Sequence, residues 1–107
     1  MLLKRLMSSA RPVYHSICNK LTQALNPTVL EIKDNSEMHA EHEAMRGLGY
    51  METHFDIFIV SSKFRGMGLV ARHRLVYDQL DHEFKHDGLH AVNIKAKTPE
   101  EYEGAAV

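Results

Sequence analysis

Residues 53–62, Thr53-His54-Phe55-Asp56-Ile57-Phe58-Ile59-Val60-Ser61-Ser62, decide the fold. Phe55, Ile57, Phe58, Ile59 and Val60 make a nearly continuous apolar run of aromatic and β-branched residues with polar flanks. A short run of this kind predicts a strand buried at the centre of a sheet. Lys63-Phe64-Arg65-Gly66-Met67-Gly68 follows as a glycine-rich turn with two positive charges. Residues 69–85 then read as the longest helix, with Leu69, Val76, Leu80 and Phe84 on one face and His73 among them. Asp87-Gly88 ends it, glycine being the usual residue just past a helix. Residues 90–96 predict another strand with Val92 and Ile94 facing inward, and strict alternation places His90 on their side. Thr98-Pro99-Glu100-Glu101 predicts a short last helix, with Thr98 as cap and Pro99 in the first turn.

Upstream of the central strand, Pro12 suits the first turn of a helix. Val13, Ile17, Leu21 and Leu25 recur every fourth residue, an amphipathic pattern that Asn26-Pro27 stops, because a residue before proline is pushed out of helical geometry. Residues 28–34 alternate, with Leu30 and Ile32 on one side and Glu31 and Lys33 on the other, as a half-buried strand does. Residues 35–51 are polar, aperiodic and long for a loop, and they carry His39 and His42. Loops of that length are usually functional or disordered.

The order is therefore α-β-β-α-β-α. The first two strands form a hairpin, and helices cover one face of a three-stranded sheet in an α+β architecture. The chain has 107 residues, enough for one domain. Thirteen basic against fourteen acidic residues leave a formal charge of −1, unlike the basic footprint of a dedicated nucleic-acid binder. One cysteine, Cys18, makes no internal disulfide and no CxxC site, which fits a reducing compartment. No apolar run reaches the roughly 18 residues of a membrane span. Residues 1–11 contain Lys4, Arg5, Arg11, two serines and no acid, the composition of a mitochondrial targeting segment or of a disordered N-terminus. The folded domain is expected over 12–103, with a disordered tail at 104–107.

Eight histidines are a high share for this length, and neutral imidazole is a good transition-metal ligand. No nucleophile–base signature, phosphate loop or HExxH motif accompanies them, so no enzyme is expected. By position, His73 reads as a near-core histidine and His54 as structural at a strand start. His15, His82 and His86 read as solvated, and Cys18 as an inert, partly buried thiol.

Three stretches, in order, carry a resemblance to a known family. The first is Asp34-Asn35-Ser36-Glu37-Met38-His39-Ala40-Glu41-His42. The second is Glu52-Thr53-His54-Phe55, then Ser61-Ser62-Lys63-Phe64-Arg65-Gly66 and Arg72-His73-Arg74-Leu75-Val76-Tyr77. The third is Gly88-Leu89-His90-Ala91, then Lys97-Thr98-Pro99 with Tyr102 near the usual aromatic. Together they resemble the BolA family over roughly residues 13–103. The resemblance implies a fold like a class II KH domain. It also implies a non-enzymatic adaptor that partners a monothiol CGFS glutaredoxin and shares a [2Fe–2S] cluster with it and with glutathione. The chain alone would hold no cluster and be a monomer. Carried over residue by residue, the ligands to one iron are His90 and His39, with His42 as the alternative to His39. Residues 45–51 are inserted before Glu52 relative to many relatives, which leaves that choice open. The absence of cysteine in this loop points to the histidine-bearing type that works with the mitochondrial glutaredoxin. The matrix is then the expected compartment, with cytoplasm or nucleus as the alternative, and [4Fe–4S] enzymes such as lipoyl synthase are the expected clients.

A lone chain with one cysteine cannot supply four thiolates, but histidine can replace thiolate on one iron of a [2Fe–2S] centre. The chain offers half a site at most. The expected docking surface is the strand-three edge, the first loop and Lys63, Phe64, Arg65, Arg72, Arg74, Leu89 and His90. The second reading is a KH-like nucleic-acid-binding regulator, built on the same cations. The glycines of Gly66-Met67-Gly68 lie two apart, so the GXXG spacing of a KH loop is missing.

Overall fold

The computed structural model describes residues 11–35 and 52–105. Its elements are α1 (Pro12–Leu25), β1 (Val29–Asp34), β2 (His54–Val60), a 3-10 turn (Ser62–Phe64), α2 (Leu69–Gln79), α3 (Asp81–His86), β3 (Ala91–Lys97) and α4 (Pro99–Ala105). The sheet order is β1-β2-β3, so the apolar run of β2 is the central strand. β1 pairs antiparallel with β2, and β3 pairs parallel with it. The parallel pairing follows from the crossover through α2 and α3, which returns the chain to the starting end of the sheet.

Alternation sorts the two faces. Phe55, Ile57 and Ile59 of β2 and Val92, Ile94 and Ala96 of β3 are buried on one face, with Leu30 and Ile32 of β1 beside them. Val13, Ile17, Leu21 and Leu25 of α1 and Val76 of α2 close that face into one core. Glu31, Lys33, Asp56, Asn93 and Lys95 lie on the other face. α4 closes one end, where Tyr102 meets Phe58 of the open face at a ring separation of 5.7 Å. Its start is a reciprocal cap: the Thr98 N–H donates to Glu101 Oε1 at 2.9 Å, and the Glu101 N–H donates to Thr98 Oγ1 at 3.2 Å.

Several expectations are corrected. The single helix over 69–85 is two helices, α2 and α3, joined at Leu80, whose N–H bonds the Tyr77 carbonyl in a tighter turn. The bend turns Glu83 inward. Its carboxylate is fully buried, 2.7 Å from Lys20 Nζ and hydrogen-bonded by the Ser16 hydroxyl. Leu69, expected in the core, is 69% exposed, because the inward stripe of α2 runs through Arg72 and Val76 to Leu80. Gly104 and Ala105 belong to α4 rather than to a disordered tail; residues 1–10 and 106–107 lie outside the described residues. α3 ends as the sequence predicts, with Gly88 at φ 81°, a left-handed conformation that glycine adopts without strain.

Candidate functional site

The starting end of β2 and β3 gathers the candidate ligands. Parallel pairing sets His54 opposite Ala91, so His90 lies one residue before the register begins. The Thr53 carbonyl accepts both the His90 N–H at 2.8 Å and the Ala91 N–H at 3.1 Å. This pair of hydrogen bonds fixes the His90 backbone against β2. The His90 side chain is exposed rather than inward, because the strand proper starts at Ala91. Its ring stands 6.1 Å from that of His54, nearly perpendicular at 83°. His54 Nδ1 is 2.8 Å from Thr53 Oγ1, a contact that orients the ring. Sequence position alone reads His54 as structural; its pairing with His90 comes from a parallel register between residues 36 apart, which no local pattern reveals.

The described residues on either side of 36–51, the stretch that carries His39 and His42, are held here. The Asn35 N–H donates to the His54 carbonyl at 2.8 Å. Glu52, buried, accepts from the Val13 N–H at 3.0 Å and the Tyr14 N–H at 2.8 Å. Those are the second and third residues of α1, whose own cap position, Arg11, makes no side-chain cap bond. Glu52 supplies from a distance what an Asp or Ser would supply locally. His39 and His42 themselves lie outside the described residues. Among the described residues no three His, Cys, Asp or Glu side chains close on one point. A broad groove of about 830 Å³ begins next door, over the open face and around the β3 edge to His73 and Tyr77. Asp56 lies in its lining: it accepts from Asn93 at 2.8 Å and also from Asn35, and those bonds and nearby Lys33 and Lys95 hold its carboxyl below the ordinary value.

The expected docking residues divide. Phe64 is fully buried, because the 3-10 turn rotates it into the core, and Leu89 is 2% exposed. Neither lies on the surface. Arg72 is buried as well. Its guanidinium donates to both carboxylate oxygens of Glu101, at 2.6 and 3.1 Å, to the Ala96 carbonyl at 3.0 Å and to the Met67 carbonyl at 2.9 Å. Arg72, with the Thr98 N–H, holds the Glu101 carboxyl at about 2. Arg65 is exposed but paired with Glu100. Lys63, Arg74 and His90 remain exposed, as do the apolar Leu69 and Val70. The cationic surface is therefore smaller than the sequence suggests.

Tyr77 and Arg72 also meet the outer edge of β3. The Tyr77 hydroxyl donates to the Val92 carbonyl at 3.2 Å, and Arg72 takes the Ala96 carbonyl.

Residues 21–101 match the family model described as BolA-like protein. The chain belongs to the BolA-like family. It is 52% identical over 87 residues to "SufE-like protein 1, chloroplastic/mitochondrial" of Arabidopsis thaliana, covering 79% of this chain and 23% of that protein. It is 51% identical over 82 residues to "Protein BOLA1, chloroplastic" of the same plant, covering 77% of this chain and 51% of that protein. The solved structure of BolA1 from Arabidopsis thaliana superposes with a TM-score of 0.72 at 49% identity, over 79% of this chain and 89% of that one. The chain spans less than two thirds of the length of these two curated relatives. The BolA-like match covers β2, the bent helix pair and β3, and so both His54 and His90.

Proposed function

We propose that this BolA-like chain is an adaptor in iron–sulfur cluster trafficking. It would dock on a monothiol CGFS glutaredoxin and ligate one iron of a [2Fe–2S] cluster whose other iron is held by the glutaredoxin cysteine and glutathione. The observation that carries the reading is His90, exposed at the sheet end where the described residues on either side of the His39/His42 stretch are held. The donor set fits a half-site: imidazoles without a thiolate suit the histidine-bearing iron of a mixed centre and leave the thiolate side to a partner. Exposure suits a ligand that must reach cargo held on another protein. Each imidazole must be neutral to bind, so cluster sharing should weaken as pH falls through the histidine range.

The family and the organellar names of the two plant relatives support an organelle, and we assign the mitochondrial matrix as its place of action. The clients would be cluster-accepting proteins, [4Fe–4S] enzymes among them. Pairing of Arg65 and Arg72 with Glu100 and Glu101 counts against the nucleic-acid reading, because it neutralises half of the four cations that reading needs.

The test is a visible absorption and circular dichroism titration. Cluster-loaded, glutathione-bound glutaredoxin is mixed with the chain and with its His90→Ala, His39→Ala, His42→Ala and His54→Ala forms. The expected result is a new spectrum at one-to-one stoichiometry that His90→Ala abolishes and one loop variant alters. A spectrum that never changes removes the ligand assignment.

A further inference from the structure

β1 lies at the edge of the sheet, and among the described residues no strand pairs with its outer side. The Asn35 N–H donates at 2.8 Å to the carbonyl of His54, the residue directly opposite in the register, which marks a hydrogen-bonded pair. Such pairs recur at every second residue, so Val29, Glu31 and Lys33 turn their N–H and C=O groups toward β2. Leu30 and Ile32 turn theirs outward. The Leu30 and Ile32 side chains face the core but stay half-buried, whereas Ile59 and Ile57 opposite them are 0% and 2% exposed. Bare N–H and C=O groups beside half-covered apolar side chains are a template for a further strand.

The charges on β1 say which strand fits. Glu31 and Lys33 flank Ile32 and are exposed on the open face. Lys33 stands opposite Asp56 and helps hold its carboxyl down. A strand that pairs with its own copy about a two-fold axis runs antiparallel. With Ile32 on the axis, the two Ile32 residues exchange both backbone hydrogen bonds. Glu31 of each copy then lies opposite Lys33 of the other, in the non-hydrogen-bonded kind of pair where side chains are closest. The row across the joined sheet reads Asp56, Lys33, then Glu31 of the second copy, alternating in sign. A shift of one residue loses the match of outward groups and of faces. A shift of two sets Glu31 against Glu31 or Lys33 against Lys33, which is repulsive.

We propose that the outer edge of β1 docks a second copy of this chain, paired antiparallel about Ile32 so that the two three-stranded sheets become one. The contact consumes both β1 edges, so the assembly closes at two. One short strand from each copy makes a small contact, and the dimer is therefore transient and forms as concentration rises. This departs from the monomer that the family resemblance implies, and it does not depend on the reading of His90.

The test is sedimentation equilibrium of the whole chain between about 10 µM and about 1 mM, with hydrogen exchange of the Ile32 amide followed by NMR over the same range. The average mass should rise toward that of two chains, and Ile32 exchange should slow as it does. Glu31→Lys and Lys33→Glu each set like charges opposite one another and should weaken association by at least about tenfold. Mixed one to one, the two variants should regain it, because every charged pair across the axis is then of opposite sign. Thermal melts check that each variant is folded. A chain that stays monomeric throughout overturns the proposal, as does association that both variants keep, or a mixture that recovers nothing. If the Ile32 amide is equally protected at every concentration, another part of the chain covers the edge and the proposal is wrong.

Discussion

Replacing Lys20 with methionine tests how the bent helix pair is held to α1. Methionine keeps most of the apolar stem and removes the ammonium, so the fully buried Glu83 carboxylate loses its ionic partner and keeps the Ser16 hydroxyl. A hydrogen bond to a charged group contributes about 1.5–3 kcal/mol. Breaking a fully buried pair costs about 3–5 kcal/mol. The Lys20 side chain is 37% exposed, which screens the interaction, so the lower figure applies, about 2 kcal/mol near neutral pH. In a domain of this size that lowers Tm by roughly 10 °C. The pH dependence has a definite sign. Burial pushes the Glu83 carboxyl up, but the bonds from Lys20 and Ser16 outweigh it and leave the group below its ordinary value. In the unmodified chain its contribution is therefore present above the ordinary glutamate range and lost as pH falls through the lowered folded value. Without Lys20, burial dominates and the folded value rises above the ordinary one, so the variant loses stability as pH rises through that range. The deficit should be larger at about pH 7 than at about pH 4. Urea unfolding followed by circular dichroism at both pH values reads it. A Lys20→Met chain within about 0.5 kcal/mol of the original at neutral pH, or a deficit equal at both, refutes the reasoning.

Glu52→Gln keeps one acceptor oxygen and turns an NH2 toward the other N–H, so α1 should lose one of its two cap bonds at a cost of about 1 kcal/mol, and hydrogen exchange should speed up at the Val13 and Tyr14 amides before any others in that helix. Gly88→Ala forces a side chain into a left-handed conformation and should destabilise by about 1–2 kcal/mol in thermal melts, with no clash to add to it. Arg72→Lys replaces a planar two-pronged donor with a single ammonium, and the Glu101 carboxyl, at about 2, should titrate closer to the ordinary glutamate range when followed by carbon NMR.

The element order was legible because each element obeys a local rule: four-residue spacing in α1, alternation in β1 and β3, an apolar run in β2, and Thr98 with Glu101 in α4. The bend at Leu80 was not, since neither glycine nor proline marks it and the burial of Glu83 that goes with it depends on Lys20 and Ser16, more than 60 residues away. Phe64 looked exposed between two cations, yet a single 3-10 turn reverses it. Arg72 sits where the helical stripe asks for an apolar residue, and only its partners 24 and 29 positions away, Ala96 and Glu101, explain that. For the site, motif reading singled out His90, but its neighbour His54 and the role of Glu52 depend on long-range contacts that no local pattern encodes. The histidines of the loop lie outside the described residues.

The outer edge of β3 has a further consequence. An edge strand with bare carbonyls is a template onto which another chain can add, the first step of runaway stacking. Here Tyr77 and Arg72 occupy the Val92 and Ala96 carbonyls, at either end of that edge, and Lys95 and Lys97 place charge along the same strand. A second copy would have to displace a phenol and a guanidinium before it could pair. The same arginine that settles α4 onto the sheet therefore also guards the molecule against its own kind.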